Sequence, residues 1–276
     1  MIRKVLYGWP LENINGINRF PLHASSSVIG IIDSGVYTTN IYLINQKIQN
    51  IPLDSNSEKW ASNLHGTMVA GIIATNGDGV QTPGGYLPNV EIISIQTGSD
   101  AGMSHNQMAR AINLAVAHGV EVINISQGSP DYSSEVEFAI NNALSKGIVI
   151  VASSGNDGKN INDYPARFDD VIAVSALDKN NNPTSYTNIE PTNIFAPGEY
   201  LMTTGRKSED HIAWFRGSSA ATPIVASICA VIKQNKPEWN SKMVKESLLL
   251  LSDKHTINTN VNILNVGNVF NYLSID

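Results

Sequence analysis

Four polar residues of this chain have types and an order that would support nucleophilic catalysis. In chain order they are Asp33, at the end of the apolar run IGIID; His65, at the start of HGTMVAGIIA; Asn156, after VIVASSG; and Ser219, within GSSAATP. A serine hydroxyl attacks a carbonyl when an imidazole takes its proton, and that imidazole needs a carboxylate that fixes its tautomer. An asparagine amide and a backbone N–H at a helix start, here that of Ser219, would bind the oxyanion. The set therefore predicts acyl transfer through Ser219.

Each of these residues also has a simpler explanation when it is taken alone. Serine caps helix starts, Asp33 could cap a turn, and His65 could merely begin a helix. The G-x-S-x-G pattern of other serine hydrolases is absent, and NGDGV is too short for a dinucleotide-binding loop. The other histidines lack a comparable context, so we expect them at surface or structural positions: His23, His105, His118, His211 and His255.

The elements that must position these residues alternate between predicted strands and helices, as in an α/β fold. Five apolar runs rich in Ile and Val show little alternation of apolar and polar residues, which is typical of strands buried on both faces of a parallel sheet. They are 27–33, 90–96, 120–126, 147–153 and 170–176. Helical patterns begin at serine and end at glycine over 104–119 and 133–147, and 240–253 is amphipathic. We interpret 33–64 and 177–215 as irregular surface excursions. Since parallel strands gather their carboxyl ends at one edge, the polar residues should meet there.

Composition narrows the classes of partner. The 276 residues carry a net charge of -6, so no clustered basic face for nucleic acid or anionic membrane is expected. Cys229 is the single cysteine, which excludes an intramolecular disulfide and a cysteine zinc cluster, and we expect it in the core. No linker or repeat interrupts 1–276, which we interpret as one domain. The start of the chain does not resemble a signal peptide and no window would span a membrane, which predicts a cytoplasmic protein, or a secreted one if Met1 was added to a mature form.

Together these blocks resemble the subtilisin family of serine peptidases. The family's aspartate, histidine, oxyanion and serine blocks match IGIIDSGV, HGTMVAGIIA, VIVASSGNDG and GSSAATP in the family's order, and the likeness extends over about 27–235. The resemblance implies a three-layer α/β fold with a mainly parallel central sheet and helices on both faces. It also implies Asp33 as the orienting carboxylate, His65 as general base and acid, Ser219 as nucleophile and Asn156 as oxyanion donor.

The resemblance further implies a polypeptide substrate held as an extended strand. The enzyme segments beside it would be 97–103 and 126–130, which supply Gly98, Gly102, Ser126, Gln127 and Gly128. The residue just ahead of the family's Tyr-Pro pair forms the floor of the pocket for the residue before the scissile bond, and here it is Asp163. A buried acid there would favour Arg or Lys, whereas the alternative is a solvated turn residue. We expect a selective processing protease; the alternatives are a broad-specificity protease and a catalytically silent peptide-binding relative.

Two departures from the family concern metal and maturation. Members that bind structural calcium use an aspartate where this chain has Tyr42, and the loop around Asp78 retains oxygens but differs in length. We expect no required cofactor and a degraded strong calcium site. About 26 residues precede the first strand block, so no propeptide domain is evident, and a role in removing leader peptides from precursor peptides would fit.

Overall fold

A single large sheet organises the structure, which is a computed structural model describing residues 10, 13–14, 26–55, 64–77, 82–98, 102–191, 193–256 and 260–274. Within these residues nine strands form the sheet: β1 Val28–Asp33, β2 Ile48–Pro52, β3 Glu91–Gln96, β4 Val122–Ile125, β5 Val149–Ser153, β6 Ile172–Leu177, β7 Ile194–Pro197, β10 Asp253–Thr256 and β11 Asn260–Ile263. Their order in the sheet is β10-β11-β7-β6-β5-β4-β1-β3-β2. Every neighbouring pair is parallel except β10 with β11.

Helices cover both faces of this sheet. They are α1 Leu64–Ala74, α2 His105–Ala117, α3 Ser134–Ser145, α4 Ser218–Asn235, α5 Ser241–Leu251 and α6 Val266–Leu273. Successive strand residues point to opposite faces, so Ile31 packs in the cluster that contains α1 and α4, while Ile32 packs with α2 and α3. Uninterrupted apolar strands are required because both faces are buried. The predicted three-layer fold with a mainly parallel central sheet is confirmed.

The local signals that begin the helices are also visible. Ser104 accepts the backbone N–H of Gln107 while the Gln107 side chain accepts the Ser104 N–H, a reciprocal cap at the start of α2. Ser133 caps α3 and Asn240 caps α5 in the simpler one-bond form. These helices and the five predicted strands lie where the sequence patterns put them, with every end within two residues of the predicted one.

The prediction that 33–64 and 177–215 are only irregular excursions is wrong. The first contains β2, and the second contains β7 and a hairpin of β8 Leu201–Thr204 and β9 Ile212–Phe215. β7 is fully buried between β6 and β11, and β8 packs on α1 so closely that a Cβ on Gly71 would collide with Thr203 and Thr204. These short strands are stabilised by long-range packing, which local sequence patterns do not report.

Strand order places the polar strand ends together. β1 lies between β3 and β4, so the chain leaves β1 towards one side of the sheet and later returns on the other. Such a reversal opens a crevice at the carboxyl ends of the strands, where ligands bind in open α/β sheets. Asp33 is the last residue of β1, and Ser126 directly follows β4. This edge is where the candidate site lies.

Candidate active site

Asp33 and His65 form a close pair at the end of β1. The His65 Nδ1 lies 2.9 Å from both Asp33 carboxylate oxygens, and the aspartate side chain is completely buried. Because a carboxylate only accepts hydrogen bonds, Nδ1 must carry the proton, which leaves Nε2 as the basic nitrogen of the neutral ring. The Ser34 N–H also donates to Asp33 Oδ1 over 2.7 Å and helps to hold the carboxylate. This pair has the orientation that a general base requires.

The start of α1 is fixed against the turn after β1. His65 is the second residue of α1, and the next N–H, that of Gly66, donates to the buried Ser34 hydroxyl over 3.1 Å. A Cβ at position 66 would collide with the carbonyl oxygen of Gly35, so only glycine fits there. On its other side the His65 ring meets Phe215 edge-on, with 5.2 Å between ring centroids. These contacts determine where the imidazole points.

Ser219 lies in the first turn of α4 and is half-buried. Its hydroxyl donates to the carbonyl oxygen of Ser126 over 2.7 Å, and the Ser126 hydroxyl donates back to the Ser219 carbonyl over 3.1 Å. α4 starts after Gly217, whose φ of 110° suits glycine and whose missing Cβ leaves room for Asn156. Among the described residues the Ser219 N–H has no acceptor, as expected in the first turn of a helix. The serine therefore presents both a hydroxyl and a free backbone donor.

Asn156 is held by the residue before the serine. Its Oδ1 accepts the Ser218 N–H at 2.9 Å and the Ser218 hydroxyl at 3.1 Å. Since a backbone N–H can only donate, the amide oxygen must face Ser218 and the amide nitrogen must face away. That nitrogen has no partner within the described part of the chain, and the residue is exposed. Asn156 thus offers an unused donor beside the start of α4.

Asp163 lies in what we call the acid pocket, formed by Asp163, Gly128 and Gly155. Asp163 is 9% exposed, and its carboxyl group has no hydrogen-bond partner among the described residues. A Cβ on Gly128 would lie 3.1 Å from Asp163 Cβ, a tight contact, and one on Gly155 would collide with Asp163 Oδ2 at 2.5 Å, so Gly155 is required for space. Burial raises the pKa of Asp163, the nearby charge of Asp157 raises it further, and Lys159 lowers it. A solvated turn residue, the alternative given by the sequence, would be exposed, whereas Asp163 is buried.

The remaining cleft residues predicted from the sequence are partly described. Gly98 and Gly102 both have positive φ, of 89° and 112°, and residues 99–101 between them lie outside the described residues. Ser126 is buried against Ser219, Gln127 is half-buried with an Oε1 that lacks a partner among the described residues, and Gly128 is exposed. The two segments follow the ends of β3 and β4 on either side of β1. Their role in substrate binding stays a prediction.

Several further predictions can be compared with the structure. Cys229 is completely buried in the core, as predicted, and burial raises its pKa. The described residues contain no group of three or more His, Cys, Asp or Glu that could hold a metal, and no described helix is long and apolar enough to cross a membrane. Asp78 and His23 lie outside the described residues.

Sequence reasoning missed two residues that support this site. The Ser34 hydroxyl accepts a hydrogen bond from the Gly66 N–H. Asn188, in the irregular stretch before β7, makes hydrogen bonds to the loop that carries Asn156. Neither belongs to a pattern that would distinguish it. Ser34 directly follows Asp33, which is the only local hint of its contact.

Comparison with known proteins places this geometry in a family. Residues 24–266 match the subtilase family. The chain is 33% identical over 229 residues to an alkaline protease of Alkalihalobacillus alcalophilus, which covers 82% of this chain and 59% of that relative, so the match spans about three fifths of the relative's length. It is also 33% identical over 229 residues to subtilisin BL of Lederbergia lenta, covering 82% and 83% of the two chains.

Solved structures agree on the fold. The nisin leader peptidase NisP from Lactococcus lactis superposes with a TM-score of 0.83 at 24% identity, covering 98% of this chain and 95% of that one. The patellamide maturation protease PatA gives a TM-score of 0.79 at 25% identity, covering 92% and 99%. With the family match over most of its length and relatives that share a third of their aligned residues, the chain belongs to the subtilase family.

Proposed function

We propose that this protein is a serine endopeptidase that hydrolyses peptide bonds through an acyl-enzyme on Ser219. The observation that carries the proposal is the paired hydrogen bond between His65 Nδ1 and the buried Asp33, at the sheet edge where α4 presents Ser219. A carboxylate in this position orients the ring and stabilises it when it becomes charged. A module that only binds peptides has no need of a base fixed in this way.

The chemistry assigns one task to each residue. Ser219 Oγ attacks the peptide carbonyl carbon while His65 Nε2 takes the hydroxyl proton, and Asp33 stabilises the resulting imidazolium. The Asn156 amide and the Ser219 N–H donate to the oxyanion of the tetrahedral intermediate. His65 then gives its proton to the leaving amine, the C–N bond breaks, and a water activated by the same imidazole hydrolyses the acyl-enzyme.

Productive attack requires a change in the hydrogen bonding of Ser219. Its hydroxyl donates to the Ser126 carbonyl in this structure, and it must donate to His65 Nε2 instead when it is deprotonated. Catalytic hydrogen bonds are often formed only in the complex with substrate. A substrate strand that lies against 126–128 would approach this serine directly.

The acid pocket supports a preference for a basic residue before the scissile bond. An ionised carboxylate without a hydrogen-bond partner is costly in a closed pocket, and an Arg or Lys side chain of the substrate relieves that cost. Gly128 of the predicted substrate segment and Gly155 of the loop that carries Asn156 both pack directly against Asp163. Asp163 therefore acts as the counter-ion of the substrate.

A processing role fits this selectivity. Among proteins with a similar fold are a nisin leader peptidase and maturation proteases for patellamide and prenylagaramide. We propose that this chain likewise cuts a precursor or leader peptide after a basic residue, and that it acts without a required cofactor. The rival within the family is broad cleavage with little choice of residue.

Hydrolysis of matched fluorogenic peptides tests the proposal. We expect cleavage after Arg or Lys, abolished in Ser219→Ala and retained in Ser227→Ala, which removes another hydroxyl from the same helix. Equal turnover with Phe or Leu before the bond would favour broad specificity. Activity that survives in Ser219→Ala would refute the nucleophile, and an inactive wild-type protein that binds peptides would indicate a silent relative.

A further inference from the structure

Asn188 makes hydrogen bonds on both sides of the proposed oxyanion donor. It is completely buried, and its Oδ1 accepts the N–H groups of Asp157 at 3.1 Å and Lys159 at 3.0 Å. Its Nδ2 donates to the Ser154 carbonyl over 3.0 Å. One side chain therefore joins the residues before and after Asn156.

The backbone of Asn188 adds further contacts to the same loop. Its N–H donates to the Gly155 carbonyl over 3.0 Å, and its carbonyl accepts the Ser154 hydroxyl and also the hydroxyl of Ser175 in β6. Gly155 has a φ of 106°, and a Cβ there would collide with the Asn188 amide nitrogen. The loop is thus packed against Asn188 with no space for adjustment.

The loop itself has no regular structure that would hold Asn156. Residues 154–159 follow the end of β5 and belong to neither a helix nor a strand. Oxyanion stabilisation depends on donors that are already in place when charge develops, and a displacement of about 1 Å can cost on the order of a hundredfold in rate. Fixing the backbone on both sides of an exposed Asn156 would supply this pre-organisation.

We propose that Asn188 is a positioning residue that aims the Asn156 amide at the oxyanion. This rests on the proposed function, because it assumes that Asn156 is the oxyanion donor. Asn188 does not touch the substrate; it acts through the N–H groups of Asp157 and Lys159. A merely structural asparagine would affect stability alone.

A double-mutant cycle separates these roles. We expect Asn188→Ala to lower kcat at least tenfold with KM changed less than threefold, and to raise Ki for a peptide boronic acid in proportion. In the Asn156→Ala background the same substitution should change kcat less than twofold, because the donor that Asn188 positions is already absent. Asn262→Ala is the control, since this buried side chain donates to Pro191 and Asn193 and leaves 154–159 untouched; it should change kcat less than threefold.

Further measurements keep the result decisive. Amide hydrogen exchange at Asp157 and Lys159 should accelerate in Asn188→Ala, and Asn188→Ser at lower temperature replaces it if the alanine variant unfolds. Equal losses of kcat in both backgrounds, or protected amides with only a lowered Tm, would overturn the positioning role. If Asn156→Ala itself leaves kcat unchanged, the oxyanion assignment and the positioning role both fail, while labelling of Ser219 would still support the proposed peptidase.

Discussion

The acid pocket predicts that a substrate with Arg before the scissile bond is cleaved faster than one with an uncharged analogue. Replacing Arg by its neutral isostere citrulline in an otherwise identical substrate removes the charge that faces Asp163 and keeps the shape. Asp163 is 9% exposed and its carboxyl group has no other hydrogen-bond partner among the described residues, so the interaction is made away from water. A hydrogen bond to a charged group contributes about 1.5–3 kcal/mol. At about 1.4 kcal/mol per factor of ten, kcat/KM for Arg should exceed that for citrulline by about 10- to 150-fold.

The assay compares three proteins on these two peptides. In Asp163→Asn the Arg-to-citrulline ratio should fall to about one, while kcat/KM for the citrulline peptide changes little. Asp169→Asn is the matched control, because it removes one negative charge from an exposed position in the same segment and should keep the ratio. A wild-type ratio below about three, or a ratio that survives in Asp163→Asn, would refute the pocket assignment.

Three further predictions concern stability and pH. Burial raises the pKa of Asp163 in the folded state, so its contribution to stability is present at low pH and is lost as pH rises through the folded pKa. Asp163→Asn should therefore raise Tm at pH 7, by an amount that shrinks as pH falls; a Tm gain independent of pH would contradict this. Gly66→Ala would force a methyl group into the Gly35 carbonyl, so urea unfolding should show a loss of about 1–3 kcal/mol together with a lower kcat from a displaced His65. An unchanged kcat would show that α1 can shift without moving the imidazole. Lys233, at the far end of α4, donates to the carbonyls of Gly147, Pro237 and Trp239, and Lys233→Met should cost about 1–3 kcal/mol for groups left unpaired. The kcat of Lys233→Met, measured below its melting temperature, should stay within about twofold of the wild-type value. A tenfold loss would link this end of the helix to the active site.

The large elements could be predicted from the sequence because their causes are local. The strands that end at Asp33 and Ser153 are unbroken apolar runs, as burial on both faces requires, and α2 carries its cap within four residues. β7 and β8 have only four residues each, and β7 ends in a proline. They are strands because neighbours distant in sequence pair with them and pack on them.

In the candidate site, too, some residues are indicated by local sequence patterns and others only by the fold. Asp33, His65, Asn156 and Ser219 each follow a strand end or begin a helix, so their types and neighbours make them candidates. The burial of Asp163 depends on how Gly128 and Gly155 approach it, which only the fold reveals. Asn188 lies in a polar stretch, and its contacts with 154–159 have no counterpart in any local pattern.

Covalent labelling tests whether Ser219 is the nucleophile. The folded protein would be treated with a fluorophosphonate, and the modified residue would be located by peptide mass spectrometry in wild type, Ser219→Ala and His65→Ala. We expect one adduct per chain on Ser219, none in Ser219→Ala, and labelling slowed at least a hundredfold in His65→Ala. Labelling at another residue, or equal rates with and without His65, would contradict it.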